Sequence, residues 1–424
     1  MDNRKNSFLT EVMEQIRSKE AKEAVSAELS YHIQEAKREW GNKGLTEKEA
    51  ENKAVEQMGN PSLLGIQMNK LHRPRIDWVM LGLFGTILLI GFLPILSLGY
   101  LDESHFATSK IIFVILGGLL ACVLMLTDYR KFKRYSWVFY LIGISILVIL
   151  KQFANNMVFG HPYFILGPIA IESSMALPFL LLAWASFLHN NKLRIWQWGA
   201  LLLLSLYLLF AVISLPTIFI YIVMVFAMIW WSKIGRKHSL KMSIITVSFL
   251  VSASFILWNS LVSYQKDRLL AFVYPEKYTE EAGYQYLFMK ELMSSAGWFG
   301  NSKGDEFIPS AHTDLVFVSF TYYFGWLFAA ILALLLTLLG ARIVMTVRKI
   351  NDPYGKLLLI GCVSLYAVQL AYNLGMTLGF LPITSISFPF ISYGLMPTLL
   401  NAFLVGIVLS VYRRKDLTFV KNAI

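Results

Sequence analysis

Hydrophobic and polar positions divide the chain into two stretches of different pattern. Residues 1–75 are hydrophilic with helical periodicity. Leu9, Val12, Met13 and Ile16 fall at i, i+3, i+4 and i+7, and Leu29, Ile33, Ala36 and Trp40 make a similar stripe further on. Each set lines one face of a helix. Gly41 and Gly44 interrupt the pattern. Thr46-Glu47-Lys48-Glu49 then reads as a capping box ahead of Ala50, Ala54, Val55 and Met58. Gly59 ends that segment, and Asn60-Pro61 suits the start of a fourth, because proline is tolerated at the first helical position. The pattern predicts a small four-helix unit over residues 1–75.

From Ile76 the pattern becomes long apolar runs. Ten of them, near 77–99, 110–127, 135–151, 164–188, 195–213, 216–232, 242–262, 315–339, 357–378 and 394–412, are long enough to cross a hydrocarbon core of ~30 Å. The expected fold is all-α: a polytopic membrane domain of about ten helices over 76–424, preceded by a small cytoplasmic helical domain.

Composition agrees. Of 424 residues, 56% are hydrophobic and only 15% charged, against about 25% charged for a soluble domain. The net charge of +11 does not point to nucleic acid, because the excess sits in short connections. Asp128–Arg134, Lys233–Lys241, Arg342–Lys356 and Arg413–Ile424 carry four Lys or Arg each, and His189–Arg194 carries two. The stretches 100–109, 214–215 and 379–393 carry none. That bias places both termini in the cytoplasm. The first 20 residues hold no apolar core, so no cleavable signal peptide is expected. Cys122 and Cys362 lie inside apolar runs without metal or redox spacing and read as packing residues.

One connection, residues 263–314, is long, carries charges of both signs and falls on the external side. Connections of this length are usually functional. It ends Phe307-Ile-Pro-Ser-Ala-His312-Thr-Asp314, and the apolar run begins at Leu315. A carboxylate at that boundary is either a helix-capping acid, favoured by the helix dipole, or a functional group. Glu172 lies inside the run 164–188 and reads either as a cavity-lining acid or as a buried, paired one.

The order of motifs resembles the SEDS family, the RodA- and FtsW-like proteins of bacterial shape, division and sporulation. The matching blocks are Tyr264-Gln265-Lys266-x-Arg268-Leu269-Leu270, Pro275-Glu276, Gly283-Tyr284-Gln285, Gly297-x-Phe299-Gly300 and the stretch ending at Asp314. Asn373-x-Gly375-Met376, Leu381-Pro382-x-Thr384 and Pro389-Phe390-Ile391-Ser392-Tyr393-Gly394 follow in order. The resemblance spans roughly 78–415. Residues 28–61 are similar to the helical prefix found before some bacterial permeases.

The resemblance implies a peptidoglycan glycosyltransferase of the bacterial cytoplasmic membrane. Its substrate would be lipid II, an undecaprenyl-pyrophosphate-linked disaccharide peptide, and its partner a class B penicillin-binding transpeptidase. It puts the family's essential aspartate at Asp314. Lys266, Arg268 and Lys277 become phosphate contacts, with His312, Glu172, Ser392 and Tyr393 as further substrate contacts. No cofactor is evident; a divalent cation, Mg or Mn, is an additional source of positive charge. Some family motifs are altered. The Asn-Gly-Ala-x-Arg-Trp and Gln-Pro-Ser-Glu blocks read 155–175 here without the arginine, and Glu172 replaces the glutamine. A Glu-Glu pair after the aspartate is Tyr322-Tyr323. Two other readings therefore stand beside the enzyme: a transporter of lipid-linked precursors, and a scaffold for the transpeptidase.

Overall fold

The computed structural model describes residues 4–93, 103–158, 161–166, 169–190, 193–232, 236–260, 263–279, 282–301 and 307–417. It divides into two compact units. One comprises the chain up to Asp77 together with the segment from Tyr412 onward; the other is Trp78–Val411.

The first unit packs α1 (Arg4–Glu14), α2 (Lys19–Asn42), α3 (Glu47–Gln57) and α4 (Pro61–Leu71). Val12, Ile16, Ala24, Val25, Ile33 and Ala54 form its core. The caps follow the sequence signals. Thr46 N–H and hydroxyl both donate to Glu49 (3.1 and 2.6 Å), and Asn60 Oδ1 accepts from Leu63 N–H at 3.1 Å. Gly65 lets α4 approach α1, since a Cβ there would lie 2.7 Å from the Val12 carbonyl oxygen. The far end of the chain belongs to the same unit. Leu417 joins the core, and the fully buried Arg414 guanidinium donates to Glu20 at 2.6 Å. Arg75 pairs with Asp416 at 2.9 Å.

The second unit is an all-α polytopic membrane domain. Its helices are α5 (Trp78–Ile90), α6 (Glu103–Leu126), α7 (Ser136–Phe153), α8 (Ala176–Asn190), α9 (Ile195–Ala211), α10 (Leu215–Trp231) and α11 (Arg236–Ser260). They continue with α12 (Ser263–Val273), α13 (Ala282–Ser295), α14 (Val316–Lys349), α15 (Pro353–Thr377) and α16 (Leu395–Arg413). Among the described residues, each of the ten predicted runs contains one helix. The apolar windows of α15 and α16 are 72% and 78% buried, whereas those of α6 and α14 are 17% and 28% buried. The centre of the bundle is therefore α15 and α16, with α8 and α10 packed on α15. The outer faces of α6 and α14 are left for lipid.

Two regions depart from the expectation of a plain helix and loop. The run 164–188 is not one helix. Three antiparallel strands, β1 (Asn156–Val158), β2 (His161–Leu166) and β3 (Ile169–Ile171), precede the 15-residue α8. Pro162 and Gly167-Pro168 explain this, because proline disfavours helix both at itself and at the residue before it. The long connection is also largely helical, through α12 and α13.

The connection is fastened to α14 at a break. Gly325 has φ 85° and ψ 169°, a conformation open essentially to glycine alone. The interrupted ladder is completed by the turn that ends the connection's helices. Trp326 N–H donates to the Gly297 carbonyl (3.1 Å), Leu327 N–H to Trp298 (3.2 Å), and Asn301 N–H to the Tyr322 carbonyl (2.9 Å). A Cβ at Gly325 would stand 2.3 Å from the Trp298 carbonyl oxygen. Gly325→Ala is expected to destabilise the membrane unit by about 1–3 kcal/mol from backbone strain alone, plus the cost of displacing that turn. Thermal unfolding in detergent, read as a lower midpoint for Gly325→Ala, checks this.

Candidate functional site

Four connections meet at one end of the membrane unit: residues 154–175 between α7 and α8, 212–214 between α9 and α10, the end of the long connection before α14, and 378–394 between α15 and α16. Successive spans alternate in direction, so these connections share one side. They enclose a cavity of about 450 Å³ lined by Tyr163, Glu172, Ser173, Ser174, Ser214, Thr217, Asp314, Gln369 and Tyr393 among others. Phe113, Leu177, Ile220 and Leu400 supply apolar wall.

Asp314 is held by its backbone. Residues 308–315 form tight turns, with Thr313 N–H and Leu315 N–H both donating to the Ser310 carbonyl (3.0 and 3.2 Å). The Asn373 amide, buried in α15, donates to the Asp314 carbonyl at 3.0 Å and to the Ile386 carbonyl at 2.8 Å. Ser392 donates its hydroxyl to the Thr313 carbonyl at 2.6 Å and accepts from Phe388 N–H at 2.7 Å. Tyr393 N–H donates to the His312 carbonyl at 2.7 Å. Lys110, in α6, is 1% exposed and donates to the Ile391 and Ser392 carbonyls, both at 3.1 Å. The stretch 310–315 and the connection 378–394 are thus tied together by the Asn373 amide, the Ser392 hydroxyl and the Tyr393 N–H, while Lys110 holds the end of the connection. The Asp314 carboxyl does not cap the following helix: α14 begins at an N-cap Leu315 without any side-chain cap bond.

Glu172 reaches the same cavity from the sheet. The register Phe164↔Ile171 and Ile165↔Ala170 continues to place Tyr163 opposite Glu172, where the tyrosine hydroxyl and the carboxyl interact. Ser174 donates a short hydrogen bond to Glu172. Behind it, Ser173, Ser214 and Thr217 form a buried triangle of hydroxyls, each pair 2.8 Å apart. Burial pushes the Glu172 carboxyl above the usual carboxylate range. Burial, and secondly the charge of Glu172, push Asp314 up to about 7. Two interacting carboxyls in one cavity have coupled titrations and are a recognised mark of functional sites.

The other predicted residues fall in several places. Tyr393 lines the cavity and Ser392 sits directly behind it. The half-buried His312 lies edge-on to Phe106 and Tyr393, at ring separations of 5.4 and 5.7 Å, and burial lowers its basicity. Lys266 and Lys277 are not among the lining residues; Lys277 is exposed, with its ammonium 4.7 Å from the Tyr274 ring. The Arg268 side chain lies outside the described residues. Among the described residues, no Lys or Arg lines the cavity, and no group of three His, Cys, Asp or Glu comes together as a metal site.

Sequence reasoning missed the hydroxyl triangle and Lys110. Serines and threonines in apolar helices carry no distinctive signal. Lys110 did carry one: a lysine inside an apolar run demands a compensating acceptor. Asn373→Leu is expected to leave the Asp314 and Ile386 carbonyls without their donor, lowering stability by about 1–3 kcal/mol. Asn373→Asp, which keeps the shape but lacks the amide, should show most of the same fall in the detergent unfolding midpoint.

Comparisons with known proteins agree with this architecture. The probable peptidoglycan glycosyltransferase FtsW of Geobacter metallireducens is 26% identical over 381 residues, covering 83% of this chain and 98% of that protein. Stage V sporulation protein E of Bacillus subtilis is 23% identical over 327 residues, covering 74% and 88%. Among solved structures, a chain from a peptidoglycan synthase complex that coordinates polymerization and crosslinking superposes with a TM-score of 0.68, at 24% identity over 80% of this chain and 98% of that one. The rod shape-determining protein RodA of Thermus thermophilus gives 0.59 at 22% identity, covering 80% and 97%. These structures share the fold. The model of the FtsW/RodA/SpoVE cell cycle proteins matches residues 73–417, and the chain belongs to that family.

Proposed function

We propose that this protein is a peptidoglycan glycosyltransferase that extends glycan strands from lipid II at the outer face of the cytoplasmic membrane. One observation carries the reading: Asp314 and Glu172, two partly buried and interacting carboxyls, face one cavity built from connections on a single side of the bundle. The Lys/Arg bias supports placing that side outside and both termini in the cytoplasm. The shared packing of the N-terminal helices with residues 412–417 supports termini on one side.

In the reaction, a sugar hydroxyl of the acceptor attacks the anomeric carbon of the donor. The new glycosidic bond forms as the bond to the lipid pyrophosphate breaks, and the hydroxyl proton must go to a base. Asp314 takes that proton. A carboxyl held near 7 is about half ionised at neutral pH and is a stronger base than an exposed aspartate. Glu172, hydrogen-bonded by Ser174 and facing Tyr163, orients the polar part of the substrate against the serine and threonine hydroxyls. The apolar wall of Phe113, Leu177, Ile220 and Leu400 suits the start of the prenyl chain. Among the described residues the lining carries no cation, and the pyrophosphate draws on the cations of the connection, Lys266, Arg268 and Lys277. The cavity's oxygen-only donor set of Glu172, Ser173, Ser174 and Thr217 also suits Mg or Mn. An ion held there would offset pyrophosphate charge. The likeness to a chain of a synthase complex supports a penicillin-binding transpeptidase as partner.

Polymerisation of lipid II by the purified protein, with and without a class B penicillin-binding protein, tests the assignment. Asp314→Asn should lower the rate by about 10²–10⁴-fold; wild-type polymer from that variant overturns Asp314 as the base. The pH profile gives a second test. Asp314 must be ionised to act, so activity should fall as pH drops through about 7. Glu172→Gln removes the neighbouring negative charge, favours the ionised aspartate, and should move the acid limb to lower pH.

A further inference from the structure

The helix α4 is apolar on two sides. Leu64 and Met68 face inward against the core of the N-terminal unit, and Gly65 packs on α1. Leu63, Ile66, Gln67, Lys70 and Leu71, at i, i+3, i+4, i+7 and i+8, form a single exposed face. Leu63, Ile66 and Leu71 are 62%, 56% and 60% exposed. An isolated exposed leucine means little, but three large aliphatic residues aligned on one helix face do not arise from packing needs, because the inward face already supplies those.

Charge indicates what covers this face. From Gln57 to Ile76 the chain contains no acid and three fixed cations, Lys70, Arg73 and Arg75. Arg75 is engaged with Asp416; Lys70 and Arg73 stand exposed at the end of the apolar face. Chain length limits the distance. Six residues, 72–77, separate the end of α4 from Trp78, the first residue of the first apolar helix, and can span at most roughly 20 Å. Trp78 is itself 75% exposed, as expected of an aromatic at a membrane interface. An apolar face edged by lysine and arginine, tethered this close to a spanning helix, has the make-up of an interfacial membrane helix.

We propose that the Leu63–Ile66–Leu71 face of α4 lies in the headgroup region of the cytoplasmic leaflet, with Lys70 and Arg73 on anionic lipid headgroups. The N-terminal unit is then a peripheral membrane domain that reads the surface charge of the bilayer in which the rest of the chain is embedded. The surface lies outside the cavity of Asp314 and does not depend on the reaction assigned to it.

The test uses the full chain in lipid nanodiscs. Ile66→Cys in a Cys122→Ser background carries an environment-sensitive fluorophore, and Glu56→Cys, exposed on α3, serves as the control position. Discs of phosphatidylcholine alone are compared with discs containing phosphatidylglycerol. The expected result is a blue-shifted label at position 66, quenched by nitroxide lipid and shielded from iodide, most strongly in the anionic discs. The label at 56 should remain open to iodide. Adding Lys70→Glu and Arg73→Glu should weaken lipid quenching several-fold in anionic discs and leave it unchanged in neutral ones. Iodide-accessible emission at 66 in both compositions overturns the proposal. Shielding from iodide without quenching by nitroxide lipid also overturns it, because the face is then covered by protein, a second copy or a partner.

Discussion

Where a spanning helix stops inside the boundary of a bundle, its backbone N–H and C=O groups lose both helical partners and water. Each needs another partner or costs several kcal/mol. The membrane unit is organised around meeting that demand at one end. Asn373 donates to two carbonyls of two connections, Ser392 donates to one and accepts from another, and Lys110 donates to two more. The break at Gly325 is mended by the turn at 297–301. These bonds fix irregular backbone at helix ends, and the cavity is the space those fixed segments enclose.

Asp314 owes its chemistry to that arrangement. An acid just before a helix could simply cap it and sit in water with an ordinary acidity. Here the helix starts without a side-chain cap, the partly buried carboxyl lines the cavity, and Glu172 lies close enough to oppose its ionisation. Burial without a neighbouring cation raises a carboxyl, whereas an arginine beside it would have lowered it. The glutamate at 172 adds to the effect of burial.

The N-terminal unit follows a different logic. Its helices are amphipathic and soluble in pattern, and its core is small. It gains Leu417 and the buried Arg414–Glu20 pair from the other end of the chain. Breaking such a pair by removing one partner is costly, because a buried charge is left alone. The placement of residues 414–417 is therefore linked to the packing of α1 and α2.

The sequence alone determined the elements whose signal is local. Capping residues at Thr46 and Asn60, helical stripes, and apolar runs of spanning length are written in adjacent residues, so α1 to α4 and the ten apolar helices were legible. Asp314 was also legible, because an acid at a membrane boundary is conspicuous and its flanking residues match a family pattern. Only the tertiary structure decided the rest. Proline and glycine interruptions too short to override hydropathy turned the start of the run 164–188 into strands. Tyr163, Glu172, Ser173, Ser214 and Thr217 converge from separate segments through pairing register and helix packing, which no spacing in the chain records. The carboxyl of Asp314 is set by burial and by a glutamate 142 positions earlier, and burial is a property of the assembled fold.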